Sequence, residues 1–148
     1  MQISEILEAE RIVCQLDSTS KKSALESMSK LLATHSESES ATSIFDALIQ
    51  REKLGSTGLG HGVAIPHGRV DSLDKTVGAF IQLADGVDFD SPDKQSVDLI
   101  FGLLVPRDTT EEHLQLLSRL AELFSESSVL DELRNTESAD KILLTLTQ

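Results

Sequence analysis

The chain has 148 residues and a formal net charge of −12; 39% of its residues are hydrophobic but only 3% aromatic, with neither Trp nor Tyr. That length suits a single domain with an aliphatic core, and an acidic balance without Lys/Arg clusters argues against a nucleic-acid partner. The one cysteine, Cys14, permits neither an intrachain disulfide nor a cysteine metal cluster and reads as a small buried hydrophobe. No basic stretch leads into an apolar one at the N-terminus, and no apolar run reaches membrane-spanning length, so a cytoplasmic protein without membrane insertion is expected.

In chain order, residues 11–16 read as a short strand. Ser20 then opens a helix to about Thr34, with Ala24, Leu25, Met28, Leu31 and Leu32 at a 3.6-residue period. His35 stands at its end, and a Ser/Glu-rich loop follows to Ser43. A second helix covers 43–54, with Ile44, Phe45, Leu48 and Ile49 inward and Gly55 as its stop. Beyond a glycine-rich segment come strands at Val77–Leu83 and Val97–Val105, with a short extra strand expected around Val87–Phe89 in the turn-rich piece between them. The nearly unbroken apolar run Leu99–Val105 predicts a central strand covered on both faces. Thr109 and Glu112 form a capping box for a helix whose buried stripe is predicted as Leu114, Leu117, Leu120, Ala121 and Phe124. Two shorter helices, about 127–135 and 138–146, complete an α/β fold: a mixed β-sheet flanked by helices on both faces.

The chemistry is expected at residues 55–68, Gly-Ser-Thr-Gly-Leu-Gly-His-Gly-Val-Ala-Ile-Pro-His-Gly, which hold five of the eight glycines. The segment is not a Walker loop, because Gly60 is followed by His61 and Gly62 where Lys and Ser/Thr are needed. It is not a dinucleotide fingerprint either, since the sixth place is Val63 and the segment follows a helix. A Gly-x-Ser-x-Gly elbow is absent. A metal site from His61, His67 and His113 lacks a helical histidine pair or flanking carboxylates.

What remains is covalent catalysis by histidine, a neutral imidazole attacking a phosphoryl group and holding it for onward transfer. Such a site needs positive charge and donors around three oxygens. Arg51, the Ser56 and Thr57 hydroxyls, glycine amides and His113 in the first turn of its helix are the candidates, His113 with a pKa lowered by the helix dipole. Each also has a plainer reading: a helical arginine snorkels, a hydroxyl serves its turn, and His61 is an exposed loop residue.

The run Thr57-Gly-Leu-Gly-His-Gly-Val-Ala-Ile-Pro-His67, with Arg51-Glu-Lys-Leu-Gly-Ser-Thr upstream and Asp98–Pro106 and Glu112-His113-Leu downstream, resembles the signature of enzyme IIA proteins. These are the mannitol/fructose family of the bacterial phosphotransferase system (the EIIA type-2 domain), and the resemblance is nearest to the nitrogen-regulatory branch. It spans nearly the whole chain and implies one domain over residues 1–148, a phosphohistidine at His67 joined through Nε2, and Arg51 and His113 beside it. It also implies an HPr-type phosphocarrier as donor, regulatory targets such as potassium-transport regulators, and no cofactor, Mg²⁺ or nucleotide. His61 departs from the pattern by standing where relatives commonly carry Asn, which brings a third imidazole to the neighbourhood. Two rival functions share these residues: a sugar-specific IIA passing phosphate to a separate IIB, and a regulatory module that signals by docking alone. An apolar collar of Leu59, Val63 and Ile65 is expected around the acceptor.

Overall fold

A computed structural model describes residues 2–35, 39–108 and 110–148. It opens with two elements too short for periodicity to reveal: helix α1 (Ile3–Ile6) and a 3-10 turn over Ala9–Arg11. Strand β1 (Ile12–Leu16) leads to α2 (Lys21–Ala33), where the Ser20 hydroxyl caps the helix by accepting from Ser23 N–H at 3.0 Å. The next helix, α3 (Ala41–Lys53), begins two residues earlier than its hydrophobic pattern, because Ser40 supplies the cap. Three short strands follow, β2 (Gly58–Gly60), β3 (Val63–Ala64) and β4 (His67–Val70). The long β5 (Val77–Val87) and β6 (Val97–Pro106) come next, then α4 (Thr110–Leu123), α5 (Ser127–Arg134) and α6 (Ala139–Thr147).

The six strands form one mixed sheet in the order β1-β5-β6-β3-β2, with β4 also paired to β6. β6 is central: it runs antiparallel to β5 and parallel to both β3 and β4. Its side chains alternate between two cores, as a strand's period of two requires. Ile100 and Leu104 face α2 and α3 with Leu25, Met28, Ile44 and Leu48, whereas Leu99, Phe101 and Leu103 face Leu116, Leu120, Phe124 and Ile142. Helices therefore cover both faces, as the apolar run predicts.

Three details correct the sequence reading. The strand expected at Val87–Phe89 is the end of β5 instead; its pairing with β6 becomes irregular between Gln82 and Val87. Leu114 is 61% exposed, and the buried stripe of α4 is His113, Leu116 and Leu120, continued by Phe124 just past its end. Cys14 is half-buried, leaning on the second core rather than within it. The capping box at Thr109 lies outside the described residues.

β3 and β4 use one flank of β6, and Pro66 separates them without a slip: Val63 pairs with Leu99 and His67 with Leu103. Pro66 has no N–H to give, but its carbonyl accepts from Leu103 N–H at 3.0 Å, so the ladder continues past it. The position of His67 is thus fixed by the core strand, and α3 packs over β4 at Gly68. A Cβ there would stand 3.0 Å from Ala47 Cβ and 3.2 Å from its backbone carbon. Gly68→Ala is expected to push α3 outward and to cost about 1–3 kcal/mol, read by urea denaturation. Unchanged stability would show that the helix has room to give.

Candidate active site

Three elements bring the site together. Arg51 occupies the last turn of α3, His67 opens β4, and His113 lies in the first turn of α4. The two imidazoles are both buried, at 9% and 6% exposure, with ring centroids 5.0 Å apart and planes tilted by 56°. Arg51 spans the gap between its helix and the ring: Nη1 donates to the Gly55 carbonyl at 2.8 Å, and Nε donates to His67 Nε2 at 3.2 Å.

The hydrogen bonds define the state of His67. Its Nδ1 lies 2.8 Å from the Ile65 carbonyl oxygen, which can only accept, so Nδ1 carries the proton. Nε2, receiving Arg51's N–H, carries the lone pair. Burial lowers the His67 pKa below the ordinary 6.5, opposed by the bond to Ile65 and aided by the Arg51 charge. His113 is pushed down to about 4, first by burial and then by His67, Arg69 and Arg51. Its Nδ1 is buried with no partner among the described residues. Both rings are neutral at pH 7, one presenting a nucleophilic nitrogen and the other an unused polar atom beside it.

This neutrality has a consequence for stability. Below about pH 6.5 the unfolded chain takes up protons that the native site resists, so unfolding free energy falls as pH drops toward 4. His113 alone, with its pKa near 4, should account for about 1–2 kcal/mol by pH 5. Urea unfolding between pH 7.5 and 5 should show that decline, and His113→Gln should flatten it. Equal slopes in both proteins would mean the imidazole titrates normally.

The remaining candidates are placed differently. The Thr57 hydroxyl is buried without a partner among the described residues, and the Thr57 carbonyl accepts from Ile65 N–H at 3.1 Å. The Ser56 hydroxyl is engaged within the loop, donating to the Phe89 carbonyl at 2.8 Å and accepting from Gly58 N–H at 3.1 Å. His61 is exposed at φ 57°, in the left-handed region that Asn, Asp and His enter more readily than other residues with a Cβ. Its backbone is pinned by Asp93 and by Arg134, and no hydrogen bond or ring contact joins it to His67 or His113 among the described residues. The following Gly62 has φ +81°, and a Cβ there would meet Arg134 Nη2 and Asp98 Oδ1, so both backbone and space favour glycine. The expected collar is also revised, because Val63 and Ile65 are in the core; Leu59, with Leu54 at the end of α3, is exposed.

Sequence reasoning missed Arg69, whose charge lowers both histidines' pKa values. A signal was available: two residues after His67 on a strand places it on the same face. Its Nη1 donates to the Arg107 carbonyl at 2.9 Å, and with Arg51 it brings two guanidinium charges to bear on the histidines of an acidic chain. A neutral nucleophile beside guanidinium groups and a second buried imidazole is suited to covalent capture of an anionic group.

Comparison with known proteins places the chain in a family. Residues 5–148 match the family model described as phosphoenolpyruvate-dependent sugar phosphotransferase system, EIIA 2. The chain belongs to this family, the EIIA type-2 components of the phosphotransferase system. Within it, the chain is 41% identical over 150 residues to a nitrogen regulatory protein of Klebsiella oxytoca, covering 100% of this chain and 91% of that one. The crystal structure of nitrogen regulatory protein IIA-Ntr from Neisseria meningitidis superposes with a TM-score of 0.94 at 47% identity, covering 98% and 99% of the two chains. The Escherichia coli mannitol enzyme IIA, solved in complex with phosphorylated enzyme IIB, gives a TM-score of 0.78 at 28% identity, covering 95% and 96%. Among the described residues, no helix is long and apolar enough to cross a membrane.

Proposed function

We propose that the chain is a regulatory phosphocarrier of the nitrogen-related phosphotransferase system, with His67 as its phosphoryl acceptor. The observation that carries this reading is the fixed tautomer of His67, with Nδ1–H held by the Ile65 carbonyl and the Nε2 lone pair facing Arg51. Nε2 attacks the phosphorus of a histidine-phosphorylated HPr-type carrier. The new P–Nε2 bond forms as the carrier's P–N bond breaks, and the broken bond's electron pair stays on the carrier's imidazole. His67 keeps its Nδ1 proton, so its ring becomes formally cationic, and the Ile65 carbonyl stabilises that charge. Arg51 can turn its N–H groups from the ring to the arriving oxygens, while His113 contributes an N–H and Thr57 its unpartnered hydroxyl.

The higher identity to nitrogen regulatory proteins than to the mannitol component favours the regulatory branch over transfer to a sugar-specific IIB. On this reading the phosphorylation state is reported to target proteins in the cytoplasm, such as potassium-transport regulators. A carrier docks over Leu54 and Leu59, steered by charge opposite to the chain's −12. Initial rates of transfer from a nitrogen-branch carrier and a sugar-branch carrier, each phosphorylated, separate the branches. The nitrogen-branch donor should be at least about tenfold faster, and transfer should slow with salt. A preference for the sugar-branch donor would contradict the assignment.

A further inference from the structure

The residue after Arg51 is a glutamate with 8% exposure, and Lys21 Nζ lies 2.9 Å from its Oε1. A buried ion pair is weak evidence of stabilisation, since apolar groups of similar volume often serve as well; what it supplies reliably is geometry. Here the geometry leads to the acceptor. The Glu52 carboxylate accepts from Thr57 N–H at 3.2 and 3.1 Å, the Thr57 carbonyl accepts from Ile65 N–H at 3.1 Å, and the Ile65 carbonyl accepts from His67 Nδ1–H at 2.8 Å. At the other end, Lys21 donates to the Phe89 carbonyl at 3.3 Å and sits 4.8 Å from the Phe89 ring centroid. The same carbonyl accepts from Ser56, the second residue of the glycine-rich segment. One ammonium on α2 thereby fastens the end of α3, the segment after β5 and the loop that leads to His67.

We propose that Lys21 and Glu52 are positioning residues for phosphoryl transfer, fixing the loop whose carbonyl selects the Nδ1–H tautomer of His67. The proposal rests on the reading of His67 as acceptor. If Thr57 N–H is released, Ile65 loses its anchor and its carbonyl no longer holds Nδ1–H. The ring then populates both tautomers, and Nε2 is a nucleophile for only part of the time. Arg51, on the same turn of α3 as Glu52, loses its register with the ring as well.

The test uses Lys21→Met/Glu52→Met, which removes both charges and the acceptor of Thr57 N–H while keeping stems of similar length. Transfer from the phosphorylated carrier is measured across carrier concentrations, with circular dichroism and ¹⁵N imidazole spectra on the same samples. A displacement near 1 Å can cost about 10²-fold, so turnover should fall about 10- to 100-fold with KM for the carrier unchanged. The His67 signals should change from one tautomer to a mixture, and Lys21→Arg, which keeps the charge, should retain most of the turnover. A folded double variant with wild-type turnover and a single His67 tautomer would reduce the pair to a structural role. If the double variant does not fold, Glu52→Met alone decides, because it too frees Thr57 N–H: a severalfold loss of turnover supports the proposal and wild-type turnover overturns it. A wild-type chain that takes up no phosphoryl group removes the acceptor reading and this proposal together, whereas unaltered variants beside an active wild type remove only this one.

Discussion

His67→Ala should take up no phosphoryl group from the phosphorylated carrier, whereas the unaltered chain should take up one that resists base and is released by acid, as an N–P bond requires. The substitution removes the only imidazole whose lone pair faces Arg51 among the described residues. It leaves the backbone pairing of position 67 with Leu103 intact, because β4 is held to β6 by main-chain bonds. Two side-chain hydrogen bonds are lost, at about 1 kcal/mol each, so the fold should survive with modestly lower stability. Label persisting in His67→Ala, or appearing on His61, would overturn the assignment.

Arg51→Ala and His113→Ala should still accept label, but about 10²- to 10³-fold more slowly, the usual loss for one well-placed donor. Arg51→Lys should recover little of this. Arg51 reaches the ring and the Gly55 carbonyl with different nitrogens of one planar group, a fork that an ammonium cannot reproduce. For His113, the expected signature also includes a rise in its pKa on phosphorylation, because a dianionic neighbour favours the protonated ring. Wild-type rates in both alanine variants would make these residues bystanders.

The parts of the fold that sequence revealed are those whose signal is local. Ala24, Leu25, Met28 and Leu32 repeat at helical spacing and all face the core, and the uninterrupted apolar run predicted the central strand. β2 to β4 were invisible because they have two to four residues, several of them glycine, and exist only by pairing, β3 and β4 along β6 and β2 against β3. Leu114 misled for a related reason. Pointing His113 inward sets the phase of α4, and the next residue is rotated about 100° away toward solvent.

The candidate site divides along the same line. His67, Arg51 and His113 sit in motifs dense enough to single out, and the structure brings their side chains together. Lys21 and Glu52 carry no such mark, since a lysine opening one helix and a glutamate ending another look like ordinary solvated charges. Only the packing of α2 against α3 turns them into a buried pair. Ser56 shows the converse: its position in the motif suggested phosphoryl contact, but its hydroxyl is held by Phe89 and Gly58.

The central claim is that His67 Nε2 is the atom that receives the phosphoryl group. It is tested most directly by phosphorus–nitrogen correlation on protein labelled with ¹⁵N-histidine and phosphorylated by the carrier. A single phosphoramidate signal coupled to Nε2 of His67, with Nδ1 still protonated, is the predicted result. Coupling to Nδ1, or to a nitrogen of His61 or His113, would contradict it.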